Sequence, residues 1–187
     1  MIYTIGHSTH SIDEFLGILD AYRIGQLVDV RTIPRSRRNP HFARENLPGS
    51  LTTAGIAYRH MPGLGGLRHP KRDSINTGWR NAGFRGYADH MQTPEFQKNL
   101  EELIELASNA PTAIMCAEAV PWRCHRSLIA DALVARGIDV QEILTVAKSQ
   151  PHALTSFAKV EGNAITYPAM EDSENLSLGF DAPGALR

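Results

Sequence analysis

Cysteine is scarce in this chain. Two in 187 residues are too few for a disulfide framework, and the expected setting is reduced and cytoplasmic. Long apolar runs are missing too. Stretches such as 128–130 and 132–135 fall far short of the roughly 20 residues that cross a bilayer, which argues against a membrane partner. Residues 1–7 lack a basic segment ahead of an apolar one, so no signal peptide is expected. There is no internal repeat and no low-complexity block. What remains is ordinary globular composition, 42% hydrophobic and 21% charged. A chain of this length buries roughly 70% of its unfolded surface and folds without a disulfide or metal staple.

Acid is also missing, but only locally. Residues 31–85 carry eleven basic side chains against Glu45 and Asp73, a net of +9, while the whole chain sums to −1. Ten of the eleven are Arg, the side chain suited to bidentate phosphate or carboxylate contacts. An anion-binding face follows, for a small molecule or a nucleic acid. An equally weighted alternative is a solvated surface paired with the acidic helix expected at 95–105.

The pattern along the chain alternates strand and helix. A β-branched and aromatic run at 2–5 ends in Gly6-His7-Ser8. Ser11 and Glu14 form a capping-box pattern, Phe15, Leu16, Leu19 and Tyr22 follow at helical spacing, and Gly25 is the expected stop. An apolar strand at 26–30 completes a βαβ unit. A polar, Arg- and Pro-rich loop covers 32–48, with a short helix at 47–54 ended by Gly55 and a strand at 56–60. A long irregular loop at 62–81 reads as functional or mobile. Residues 87–91 start a helix, and Thr93 and Pro94 open another that runs to 107. A buried strand at 112–116, a helix at 127–136 stopped by Gly137, and a last strand at 140–144 complete the pattern. The expected fold is α/β, an open, mostly parallel, doubly wound (Rossmann-like) sheet flanked by helices. One domain is expected at 1–168, followed by an acidic, poorly structured tail at 169–187.

Sites in such sheets lie beyond the carboxyl ends of the strands. Here those ends carry His7 and Ser8, Asp29 and Arg31, Arg59 and His60, and Cys116 and Glu118. The segment from Cys116 to Arg126 is the densest, with Cys124, His125 and Arg126 at or just before a helix start, where backbone N–H groups favour an anion or a thiolate. One of the two cysteines is a candidate nucleophile, with His7 or His125 as base or acid and Glu118 as orienter or second acid. Ser8, Arg31, Arg35, Ser36, Arg123 and Arg126 are the candidate substrate-binding residues. Against this, a cysteine is often a small buried hydrophobe, and Cys116, ending an apolar strand, fits that description better than Cys124 with its cationic neighbours. A metal held by both cysteines and a histidine is conceivable. The seven-residue gap is not that of a zinc knuckle, so no metal and no cofactor are expected. The layout is similar to a phosphatase or rhodanese cradle, but six residues separate Cys116 from Arg123 where those cradles have five between.

These pieces together resemble the DUF488 family. Thr4-Ile5-Gly6-His7-Ser8, Asp29-Val30-Arg31 with Pro34-Arg35-Ser36, Leu64-Gly65-Gly66, Cys116-Ala117-Glu118, Cys124-His125-Arg126, Pro151-His152 and Tyr167-Pro168 carry the resemblance. It spans about residues 1–168. It implies an α/β sandwich with the motif residues clustered, and it implies no reaction. The reading favoured by the residues is a cysteine-dependent hydrolase or transferase acting on an anionic substrate, such as a nucleotide or nucleic acid. The alternative is a non-catalytic nucleic-acid-binding module that stacks bases on Trp79, Phe84, Tyr87 and Trp122. A third reading makes the polar cluster a satisfied structural network, with Asp29 paired to Arg31 or Arg126.

Overall fold

Local signals place the helices. The Ser11 hydroxyl accepts from the Glu14 N–H, and the Glu14 carboxylate accepts from the Ser11 N–H, which starts α1 (Ile12–Ala21) with Phe15, Ile18 and Leu19 buried. Three more α-helices follow: α2 (Leu47–Thr53), α3 (Ala82–Met91) and α4 (Pro94–Asn109), the last capped by Thr93. The fifth, α5 (Arg126–Val134), is buried almost all round. The structure, a computed structural model, describes residues 1–169. The acidic tail expected from 169 onward lies, but for its first residue, outside the described residues.

The strands are β1 (Ile2–Gly6), β2 (Gln26–Asp29), β3 (Ala57–His60), β4 (Thr112–Cys116), β5 (Val140–Thr145) and β6 (Lys148–Pro151). They form one sheet in the order β3-β2-β4-β1-β5-β6. The first five are mutually parallel, and β6 runs antiparallel at the edge. A separate hairpin pairs β7 (Lys159–Glu161) with β8 (Ala164–Thr166). This is the expected α/β fold with a mostly parallel sheet. The pattern misses β6, β7 and β8 because their residues are largely exposed and carry no apolar alternation.

Alternation along the strands makes two cores. Ile2, Val28, Ile114 and Val140 face α3, α4 and α5, while Ile5, Leu27, Ala113, Met115 and Ile143 face α1 and α2. The chain therefore leaves β1 and β2 over one face and leaves β3 and β4 over the other. Strand β4 lies between β1 and β2, so neighbouring strands there send their loops to opposite sides and a crevice opens at their carboxyl ends.

One helix stop and one helix start differ from expectation. The left-handed residue after α1 is Arg23, at φ 53, not Gly25. Gly25 instead lies against Ala110 and Pro111, donating its N–H to the Pro111 carbonyl. Helix α3 begins at Ala82, five residues before the expected start, because the Asn81 side chain accepts from the Gly83 and Phe84 N–H groups. Gly55 and Gly137 end their helices as expected, both at positive φ.

The last described segment clamps α5. His152 lies between Asp131 on α5, at 2.9 Å, and Glu142 on β5, at 2.8 Å. Asp131 also accepts from the Thr155 hydroxyl and the Tyr167 hydroxyl, and the Tyr167 N–H donates to Asn76. Burial works against the His152 imidazolium, but the two carboxylates outweigh it and lift its pKa from 6.5 to about 9. Glu142 is held below its ordinary range: burial opposes this, and the His152 and Gln150 bonds prevail. A raised histidine stabilises fully below 6.5 and loses that contribution as pH rises through about 9, whereas the Glu142 contribution is lost only as acid protonates it. Stability in urea is therefore expected to fall by about 3 kcal/mol between pH 6.5 and 9. His152→Ala is expected to be less stable at the lower pH and to lack this slope.

Candidate active site

Strand pairing assembles the site. Register sets Gly6 beside Cys116 and Asp29 beside Met115. Beyond the ladder, the His7 N–H donates to the Cys116 carbonyl at 2.9 Å, and the Val30 N–H donates to the Met115 carbonyl at 3.0 Å. Gly6 is required here: a Cβ on it would overlap the Glu118 carbonyl, so the loop after β4 folds over the end of β1 only because that atom is absent. Ser8 turns the chain away at φ 47, its N–H on the Ala117 carbonyl.

The buried arginines are committed inside the protein. Arg31 donates from Nε and Nη2 to the two Asp29 carboxylate oxygens, at 2.8 and 2.6 Å, and from Nη2 to the Phe42 carbonyl. Tyr58 donates its hydroxyl to the same carboxylate. The remaining Nη1 of Arg31 lies 3.2 Å from His7 Nε2. Arg126 is fully buried and donates to the carbonyls of Glu118 and Ala119, so it holds the loop after β4 rather than facing a substrate. Of the candidate anion-binding residues, Arg35 and Arg123 are exposed. Ser36 accepts from the Asn39 N–H, and the Ser8 carbonyl takes bonds from His7 and Asn39.

His7 is brought to the cluster but is fully occupied. With Nδ1–H donating to the Ser8 carbonyl at 3.0 Å and Nε2 accepting from Arg31, neither nitrogen is free to move a proton. Burial, and then the Arg31 charge, push its pKa from 6.5 to about 4 and keep it neutral. Glu118 is not in the cluster. Its carboxylate is exposed and accepts from the Val120 N–H.

Cys116, Cys124 and His125 do meet, their donor atoms all within 4.8 Å of one another. Cys124 Sγ is 3.8 Å from His125 Nδ1. His125 Nε2 is 3.0 Å from the Val30 carbonyl, an acceptor only, so Nε2 carries a proton and Nδ1 faces the thiols. The two cysteines exchange the characters expected of them. Cys124 is buried in the short turn before α5, while Cys116, at the open end of its strand, is half-buried. The Cys116 thiol is pushed far below its ordinary value, above all by the Cys124 S–H donating to it, with help from His125 and the Glu118 N–H against the cost of burial. Cys124 keeps the shared proton and is pushed up.

His125 also lines a cavity of about 300 Å³, together with Gly66, Leu67, Asn81, Gly83, Phe84, Tyr87 and Arg123. Gly66 permits this wall, since a Cβ there would sit 3.0 Å from His125 Nδ1. The pocket residues Asn81 and Gly83 belong to no motif read from the sequence, and only their neighbourhood to the long loop signalled them. Of the aromatics offered for base stacking, Tyr87 is buried with its hydroxyl on the Leu64 carbonyl. Trp79 is stacked on Phe84 and packed by Phe157 and Tyr167. Trp122 is exposed. Two basic-segment arginines face the acidic helix, Arg59 at 2.6 Å from Glu102 and Arg68 at 3.9 Å from Glu95.

The family model described as "Domain of unknown function DUF488" matches residues 11–133. No curated protein and no solved structure matches the chain. No helix of the described residues is long and apolar enough to cross a membrane.

Gly6→Ala is expected to cost about 1–3 kcal/mol in urea unfolding, because backbone rather than a movable side chain meets the new methyl. Gly17→Ala, with open space around it on α1, is the control and should be neutral or stabilising by up to about 1 kcal/mol.

Proposed function

We propose that this chain, which belongs to the DUF488 family, is a cysteine-dependent hydrolase or transferase acting on an anionic substrate. One observation carries the reading: a Cys–His cluster adjoins a pocket whose wall includes its histidine and an exposed arginine. Cys116 is the nucleophile, being the less buried of the two thiols. His125 is its proton partner, since its Nε2–H is tied to Val30 and its Nδ1 faces sulfur. Cys116, the thiolate of the pair, forms a bond from sulfur to the transferred group. The leaving group takes the proton that Cys124 keeps, by way of Nδ1, and water or a second nucleophile then releases the group from sulfur and returns the proton.

Arg123 is the anion contact, because it is exposed, whereas Arg31 and Arg126 are buried and turn their terminal nitrogens to Asp29, His7 and backbone carbonyls. The pocket's polar groups from Asn81, Arg123 and His125, set among Phe84 and Tyr87, suit a small anion carrying an aromatic or apolar body, such as a nucleotide. The aromatics proposed to stack nucleic acid are mostly engaged in the core, which favours the small substrate over a polymer.

The test is turnover of phosphoesters, nucleotides and persulfide donors by the wild type and by variants. Cys116→Ser is expected to abolish activity, and His125→Ala to lower kcat by about 100-fold or more. Arg123→Met is expected to raise KM with little change in kcat. Absence of turnover on every class, together with equal iodoacetamide labelling of Cys116 and Cys124, would overturn the reading. Salt-dependent binding of DNA or RNA that survives Cys116→Ser would transfer the function to a binding module.

A further inference from the structure

The donor set at the cluster has a second chemistry. Two sulfurs and one imidazole nitrogen are the ligands of a soft or borderline ion, with no carboxylate among them. A tetrahedral zinc ion, with sulfur at about 2.3 Å and nitrogen at about 2.0 Å, needs its donors about 3.5–3.8 Å apart. Cys124 Sγ and His125 Nδ1 are already 3.8 Å apart, and no pair of the three exceeds 4.8 Å. The ring is also oriented as a ligating histidine is: the nitrogen away from the sulfurs donates to a backbone carbonyl, which fixes the tautomer and leaves the facing lone pair free. The supports are independent of the ion. β4 supplies Cys116, the turn before α5 supplies Cys124 and His125, and Arg126 pins the loop that joins them.

We propose that Cys116, Cys124 and His125 bind one zinc ion, and that the ion caps the nucleophile. Binding releases the proton that Cys124 keeps, and both sulfurs become ligands. Three protein donors leave a four-coordinate ion one position for water or an anion. While zinc is bound, Cys116 cannot attack, so removal of the ion switches the thiol chemistry on. That consequence for activity rests on the nucleophile reading above, whereas the binding itself does not.

The experiment uses the full chain, reduced and stripped of metal. Zinc is titrated against a chromophoric chelator, cobalt is added separately as a spectroscopic probe, and iodoacetamide labelling is mapped with and without zinc. The expected result is one zinc per chain, a thiolate-to-cobalt charge-transfer band, and loss of Cys116 labelling when zinc is present. Cys116→Ser and His125→Ala should each weaken zinc binding beyond the about 10–100-fold that loss of an outer hydrogen-bond partner costs. No stoichiometric binding, a cobalt complex without the thiolate band, or a Cys116 that labels without zinc and labels just as fast with it would overturn the proposal. The last two readouts need only the wild type, so a variant that does not fold leaves the test intact. Fast labelling of Cys116 without zinc binding would sink the metal site and spare the nucleophile. Zinc binding with an unreactive metal-free Cys116 would do the reverse.

Discussion

Strand β4 is hydrogen-bonded on both edges, to β1 and to β2. That double pairing is the constraint on which the site depends. Parallel register aligns the three carboxyl ends, and a loop bends from each into the same crevice. The backbone bonds from His7 to Cys116 and from Val30 to Met115 extend the ladders one residue past the strands. His125 then bonds to Val30, so the histidine at the start of α5 is positioned by the end of β2. Residues 95 positions apart in sequence meet because a sheet fixes distances that a flexible loop would not.

Buried charge is the second theme, and most of it is structural. Asp29 and Arg31 form a bidentate pair whose remaining atoms are taken by Tyr58, Phe42 and His7. Such a pair adds little net stability, but removing one partner strands the other. The Asp131–His152–Glu142 chain likewise holds the last described segment against α5. These networks account for several motif residues, His152 and Tyr167 among them, as anchors rather than reagents.

The chemistry of that cluster turns on one proton and one lone pair. A tethered Nε2–H makes Nδ1 the only side of the ring that can serve the sulfurs. A thiol pair facing that lone pair has the donor chemistry of a nucleophile with its base and of a ligand set for a soft ion. Both proposed uses draw on the same geometry, and occupancy by the proposed ion would select between them.

Much of the fold was legible in the residues, because capping boxes, glycine stops and apolar alternation act locally. The Ser11–Glu14 cap, the Thr93 cap of α4 and the β4 strand all arise from interactions within a few positions. The polar edge strand β6 and the β7–β8 hairpin carried no such signal. In the site, the strand ends place His7 against both Arg31 and the Cys116 carbonyl, while Arg59 and Glu118, from the same strand ends, lie outside. Partner choice was not legible. A sequence shows that Arg31, Arg126 and His7 are polar, but the carbonyls, the carboxylate and the neighbouring side chain that they bond are brought within reach only by folding. The seven-residue gap between the cysteines does not reveal that their sulfurs approach each other, because a strand end and a helix start bring them together from separate elements. Local propensity, then, belongs to the sequence alone. Which thiol is open, which histidine is free and which arginine faces solvent were decided by tertiary structure, since each depends on the distance between atoms far apart along the chain.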